Sequence, residues 1–235
     1  MQGLIFFNNL GFAARLIDNG SGNRYHIFYG TKKNLLVSLV LRWRSEIMRT
    51  RIMSAAMIEM NEHGVRFTMG MLAARLGISK RTLYEHFESK EVLIEAIIDA
   101  IIQDLRAQRL AIVGDASLDL AEKLKRMLTV KPTVFGTVDD RVKLDLRRQF
   151  PGLWVKAHKA AEEQWDIIET VLQEGIETGI FREIYVPVVK KMLRGAVDAI
   201  ADYDFLLENK ASFHEMIGYV TDILIYGIIV PEKRG

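Results

Sequence analysis

From about residue 47 to the C-terminus, apolar residues recur at spacings of three and four, and the apolar–polar alternation of a half-buried strand is rare. A period of that kind buries one stripe of each segment as a helix and offers a sheet nothing to pair with. The four prolines stand at 132, 151, 187 and 231, so the first half of the chain carries no rigid helix breaker. The expected fold class is all-α. A first helix is predicted over Thr50–Glu62, with Ile52, Ala55, Ala56 and Met60 on one face and Gly64 as its stop. Thr68 is placed to cap a second helix, Met69–Leu76, which Gly77 ends. Ser79 caps a short third helix running to Phe87, and Ser89 caps a fourth. Further helices are expected at 117–130, 138–149, 152–178, 186–207 and 212–229, with breaks at Gly114, Pro132, Pro151, Gly179 and Pro187.

Residues 1–47 follow no sustained period, and Asn19-Gly20-Ser21-Gly22-Asn23 signals a flexible turn. Two readings stand side by side: a non-essential extension ahead of a natural start at Met48, or a genuine N-terminal arm. The expected domains are this extension, a small head over 48–90, and a larger body over 91–235. The absence of cysteine excludes disulfides, thiolate metal sites and cysteine nucleophiles. A net charge of +2 is too small to announce a polyanionic partner, so any basic surface must arise by clustering. The apolar runs Leu35–Leu41 and Ile223–Val230 fall short of the roughly 20 residues a membrane helix needs. The first residues also lack the basic start of a secretory signal. A cytoplasmic protein without a membrane partner is expected.

Two short helices separated by Gly77-Ile78 have the spacing of a helix-turn-helix. Ala73 is small where the helices cross, Gly77 permits a positive φ, and Ile78 and Leu83 supply apolar contacts. Lys80 and Arg81 fall in the first turn of the third helix, where the macrodipole disfavours cations by roughly 0.3–1 kcal/mol each. A polyanion lying against that helix end reverses the sign. Ser79, Lys80, Arg81 and Thr82 are therefore expected to meet phosphates and base edges, with Tyr84 and His86 on the sugar-phosphate backbone one turn later. Thr68, Arg51 and Lys90 are expected to flank the same surface.

The run SKRTLYEHFESKEVL, Ser79 to Leu93, closely resembles the signature of the TetR family of transcriptional repressors, and the preceding helix, Gly, Thr and Ala-x-x-x-Gly landmarks resemble that family's first two helices. Together they cover about residues 49–97. One departure stands out: Met69-Gly70-Met71 replaces the polar residues that usually open the second helix, and Gly70 costs about 1 kcal/mol of helix propensity. Phosphate contacts are accordingly expected from the third helix more than from the second.

The resemblance implies a TetR-like homodimer that binds a palindromic double-stranded DNA operator and answers to a small-molecule effector. It implies a three-helix DNA-binding head, a fourth helix as connector, and a C-terminal ligand-binding and dimerisation domain whose last two helices form the dimer bundle. An activator, or a regulator whose body only dimerises, is the alternative. Candidates for the pocket are Met127, Phe150, Trp154, His158 and Trp165. The stripes Met192, Leu193, Ala196, Val197, Ile200 and Met216, Val220, Ile223, Leu224, Gly227 are the expected bundle faces, with Gly195 and Gly227 permitting close approach. No enzyme is expected. His26, His63, His86, His158 and His214 have no H-E-x-x-H spacing, and there is neither a glycine-rich phosphate loop nor a G-x-S-x-G elbow. No cofactor or metal is expected.

Overall fold

The computed structural model describes residues 4–7, 12–15, 33–136 and 138–230. They separate into two compact units, Met1–Met48 and Arg49–Gly235. In the first unit, β1 (Leu4–Phe7) pairs antiparallel with β2 (Phe12–Arg15), Leu4 opposite Arg15. The hairpin lies ahead of the helical periodicity, in the segment that follows no sustained period, and each strand is a run of only four residues.

The first long helix, α1, spans Lys33–His63, beginning well before the expected Thr50. Neither glycine nor proline occurs between Gly30 and Gly64, so nothing in the sequence stops its propagation. A tight turn, Gly64–Arg66, leads to α2 (Met69–Leu76) and α3 (Lys80–His86). Ile52, Ala56, Val65, Leu72, Leu83 and Phe87 are buried together with Leu93 and Ile97 of α4 (Lys90–Gly114). Thr68 Oγ1 accepts from Met71 N at 3.1 Å, Ser79 Oγ from Thr82 N at 3.0 Å, and Ser89 Oγ from Val92 N at 3.1 Å. Gly77 sits at φ 65°, and Ile78 N donates to Ala73 O at 3.1 Å, which closes α2 by a left-handed cap.

Seven further helices follow among the described residues: α5 (Leu120–Leu128), α6 (Asp140–Gln149), α7 (Pro151–Glu162), α8 (Trp165–Glu177), α9 (Val186–Ile200), α10 (Tyr203–Glu208) and α11 (Phe213–Ile228). Two expected long helices are each divided. Between α7 and α8, Gln164 is 3% exposed, its Nε2 donates to Ile102 O at 3.0 Å, and its Oε1 accepts from Arg109. Between α9 and α10, Asp202 accepts from Phe205 N at 2.9 Å and starts a new helix. At Asp202 a side chain that bonds the backbone locally competes with helix continuation, whereas at Gln164 the partners are distant.

Leu124, Met127, Ile168, Val171, Leu172, Phe181, Val189, Leu193 and Ile228 form the core of the body. The expected bundle stripe therefore splits, with Leu193 inside the core and Met192 65% exposed. Gly195 and Gly227 face open space, whereas a Cβ built on Gly175 would lie 2.0 Å from Cδ2 of buried Phe181. Within the chain, the close approach is at Gly175.

Candidate nucleic-acid interface

At the start of α3 the capping Ser79 and the residues after it leave the head's surface. Lys80 and Arg81 are exposed, and the Arg81 side chain retains 89% of its accessible area while Nε donates to Glu85 Oε1 at 3.2 Å. Thr82 is half-buried, its hydroxyl 2.9 Å from that of Ser79. Tyr84 is exposed one turn later. Thr68 is exposed as the cap of α2, and Arg51 is exposed on α1.

Lys80 also accounts for Gly70. A Cβ built on Gly70 would lie 3.0 Å from Lys80 Cε, 3.3 Å from Lys80 Nζ and 3.6 Å from Thr68 Oγ1. The missing side chain leaves room for the Lys80 stem, and the ammonium sits at the opening turn of α2. That turn also presents backbone N–H groups left unpaired by the helix. Two helix starts and one ammonium converge there, an arrangement suited to a phosphate group. Gly70, which the sequence suggests weakens the second helix, thus lies directly beneath the Lys80 side chain of the third.

Two expected contacts are arranged differently. The Lys90 ammonium turns inward, donating to Val65 O and standing 4.7 Å from the centre of the Phe67 ring and 5.8 Å from that of Phe150. Burial pushes its pKa down. Lys90 therefore joins the head to the body, because its long stem reaches a buried carbonyl more readily than solvent. His86 is half-buried, and its backbone carbonyl accepts from Arg49 Nη1 at 2.5 Å. The Arg49 guanidinium lies 4.1 Å from the Phe87 ring centre and secures the C-terminal end of α3. Sequence reasoning missed Arg49, which no local pattern connects to a residue 37 positions on.

The expected pocket residues do not form one wall. Met127 is fully buried in the body core, and Trp165 packs against that core. Phe150 stands near Lys90 at the head–body junction. Trp154 and His158, stacked with ring centres 6.4 Å apart, line a cleft of about 520 Å³ with Arg147, Lys159, Asp198 and Tyr203. Arg194 Nη2 lies 3.3 Å from His158 Nε2.

The body is braced to α4 by Lys156, whose ammonium lies 2.7 Å from Glu95 and 3.2 Å from Asp99. Among the described residues no helix is long and apolar enough to cross a membrane.

Residues 52–97 match the family model described as bacterial regulatory proteins, tetR family. The chain is 28% identical over 186 residues to the HTH-type transcriptional regulator YvaF of Bacillus subtilis (strain 168), covering 79% of this chain and 98% of YvaF. It is 36% identical over 74 residues to the nucleoid occlusion factor SlmA of Shewanella woodyi, a match spanning 32% of this chain and 36% of SlmA. Among solved structures, a putative transcriptional regulator from Saccharomonospora viridis in complex with choline superimposes with TM-score 0.64 at 19% identity, over 79% of this chain and 99% of that one. A TetR transcription regulator from Haloarcula marismortui gives TM-score 0.62 at 19% identity, over 77% and 98% respectively. Residues 52–97 thus form a helix-turn-helix head that matches the tetR-family model, and the body behind it has the fold of TetR-like regulators, so the chain is similar to DNA-binding transcriptional regulators of that family.

Proposed function

We propose that this regulator is a homodimeric repressor that places α3 of each protomer in successive major grooves of a palindromic operator. The observation that carries this reading is the meeting of Lys80 with the first turn of α2 beside the exposed start of α3. Ser79, Lys80, Arg81 and Thr82 are assigned to phosphates and base edges, and Thr68, Tyr84, His86 and Arg51 to the flanking backbone. Dimerisation is supported by an apolar face on the last long helices: Tyr185, at the start of α9, is 73% exposed, and Ile223 of α11 is 74% exposed, with Val188, Met192, Tyr219 and Tyr226 also exposed. Exposed apolar residues at spacings of three and four on two helices packed together suit an association surface, and a two-fold axis lets it cover itself.

Binding to selected operator DNA, followed by fluorescence anisotropy across a salt series, tests the reading. Lys80→Ala is expected to weaken binding and lower the salt slope by about 1. Ile223→Glu is expected to give a monomer in sedimentation and to lose operator affinity. Retained affinity and slope in the first variant, with a retained dimer in the second, refutes the proposal.

The cleft at Trp154 and His158 is the proposed effector site, whose occupancy lowers operator affinity through α4. The complete burial of Met127 favours a second reading, in which the body only dimerises. A ligand that quenches wild-type but not Trp154→Phe fluorescence, and releases DNA, decides for the effector.

A further inference from the structure

At the end of α1, Glu59, Glu62 and His63 stand at positions i, i+3 and i+4, which places all three on one helix face. Glu59 is 3% exposed. Its Oε1 accepts from Arg75 Nε at 2.5 Å. Its Oε2 is, among the described residues, the one buried side-chain oxygen or nitrogen without a hydrogen-bond partner. Leaving a buried carboxylate oxygen unpaired is costly, more so than for a neutral group.

That oxygen faces the other two groups. His63 Nε2 lies 3.7 Å from Glu59 Oε2 and 3.7 Å from Glu62 Oε2, and one ligand atom from each of the three residues falls within 4.8 Å of the others. The 3.7 Å separations exceed hydrogen-bonding distance. They are close to the roughly 3.4 Å that separates two donors each about 2.1 Å from one tetrahedral ion. Two carboxylates against the single charge of Arg75 leave the corner negative, and the C-terminal end of α1 adds its partial negative charge. Arg75 donates to Glu59 Oε1, leaving Oε2 free, and also to Glu62 Oε2, the oxygen that faces His63, so it fixes both carboxylates beside the imidazole and leaves Glu62 Oε1 as that residue's open ligand atom. Ligating carboxylates are commonly steadied by such a donor.

We propose that Glu59 Oε2, a Glu62 carboxylate oxygen and His63 Nε2 form a binding site for a divalent transition-metal ion of the zinc class, with water completing the coordination. Imidazole with carboxylates suits zinc, cobalt and nickel better than calcium or magnesium. An ion that binds only when the three groups are held in this arrangement at the end of α1, beside Arg75 of α2, stabilises the folded head. The sequence pattern is E-x-x-E-H, which a search for two spaced histidines passes over.

The test uses the metal-stripped full chain titrated with Co²⁺, then with Zn²⁺. One Co²⁺ per chain is expected, with the visible ligand-field absorption of a low-coordinate site, displaced by Zn²⁺, and with Zn²⁺ raising the melting temperature. His63→Ala and Glu62→Gln, both at exposed positions that a fold tolerates, are expected to abolish the absorption and the thermal shift, while His214→Ala keeps them. Glu59→Gln is a weaker probe, since it also disturbs Arg75. Absence of saturable binding, or binding and thermal shift that persist in His63→Ala, overturns the proposal and marks any bound ion as adventitious.

Discussion

Gly70→Ala separates two effects that the structure places at one position. Alanine in the first turn of α2 recovers about 0.5–1 kcal/mol of backbone entropy relative to glycine. Against this, the new Cβ would stand 3.0 Å from Lys80 Cε, the far part of a flexible side chain that can swing into solvent. Displacing that side chain costs little, so the folded state gains overall. For a chain of this size the gain corresponds to a rise of roughly 1–4 °C in melting temperature, read by circular dichroism. DNA affinity is expected to move the other way, because the Lys80 ammonium leaves the start of α2. The loss should be a part of what Lys80→Ala loses, and Gly70→Ala should add nothing further in a Lys80→Ala background. A lower melting temperature in Gly70→Ala, or an equal loss of affinity in both backgrounds, refutes the reasoning.

Lys90→Met is expected to lower stability by about 1–2 kcal/mol by leaving Val65 O without its donor. The salt slope of DNA binding should stay unchanged, and a slope reduced by about 1 with unchanged stability would instead make Lys90 a phosphate contact. Gly175→Ala drives a methyl group into the buried Phe181 ring and should cost about 1–3 kcal/mol, measured by urea unfolding. His214 is held below its ordinary pKa, first by burial and then by Lys131 and Lys143, with Glu215 opposing. Between its lowered folded value and 6.5 the unfolded chain binds more protons, so stability is full above 6.5 and falls as pH drops through that window. His214→Gln should flatten melting temperature against pH in that range; an unchanged profile removes His214 as the cause.

The head was readable because its signals are local. Thr68, Ser79 and Ser89 cap the helices they precede, and Gly77 takes the left-handed conformation its place in the turn requires. The body was less readable because its boundaries depend on distant partners. Nothing near Gln164 announces a break; the cause is Ile102 and Arg109 on another helix. The inward turn of Lys90 likewise follows from Val65 and Phe150, which the chain brings together only after folding. Side-chain bulk in the sequence does not distinguish Met127 in the core from Trp154 at a cleft.

The polar knot around Gln164 sets how the body can deform. Arg109 of α4 donates to Met127 O at the end of α5 at 3.1 Å and to Gln164, which itself returns a bond to Ile102 O of α4. A helix sliding by one turn, about 5.4 Å, would carry every one of these donors away from its acceptor inside an apolar surround. Tilting about the knot preserves them. The three bonds thus oppose a slide of α4 along its own axis more strongly than a tilt about the residues that make them.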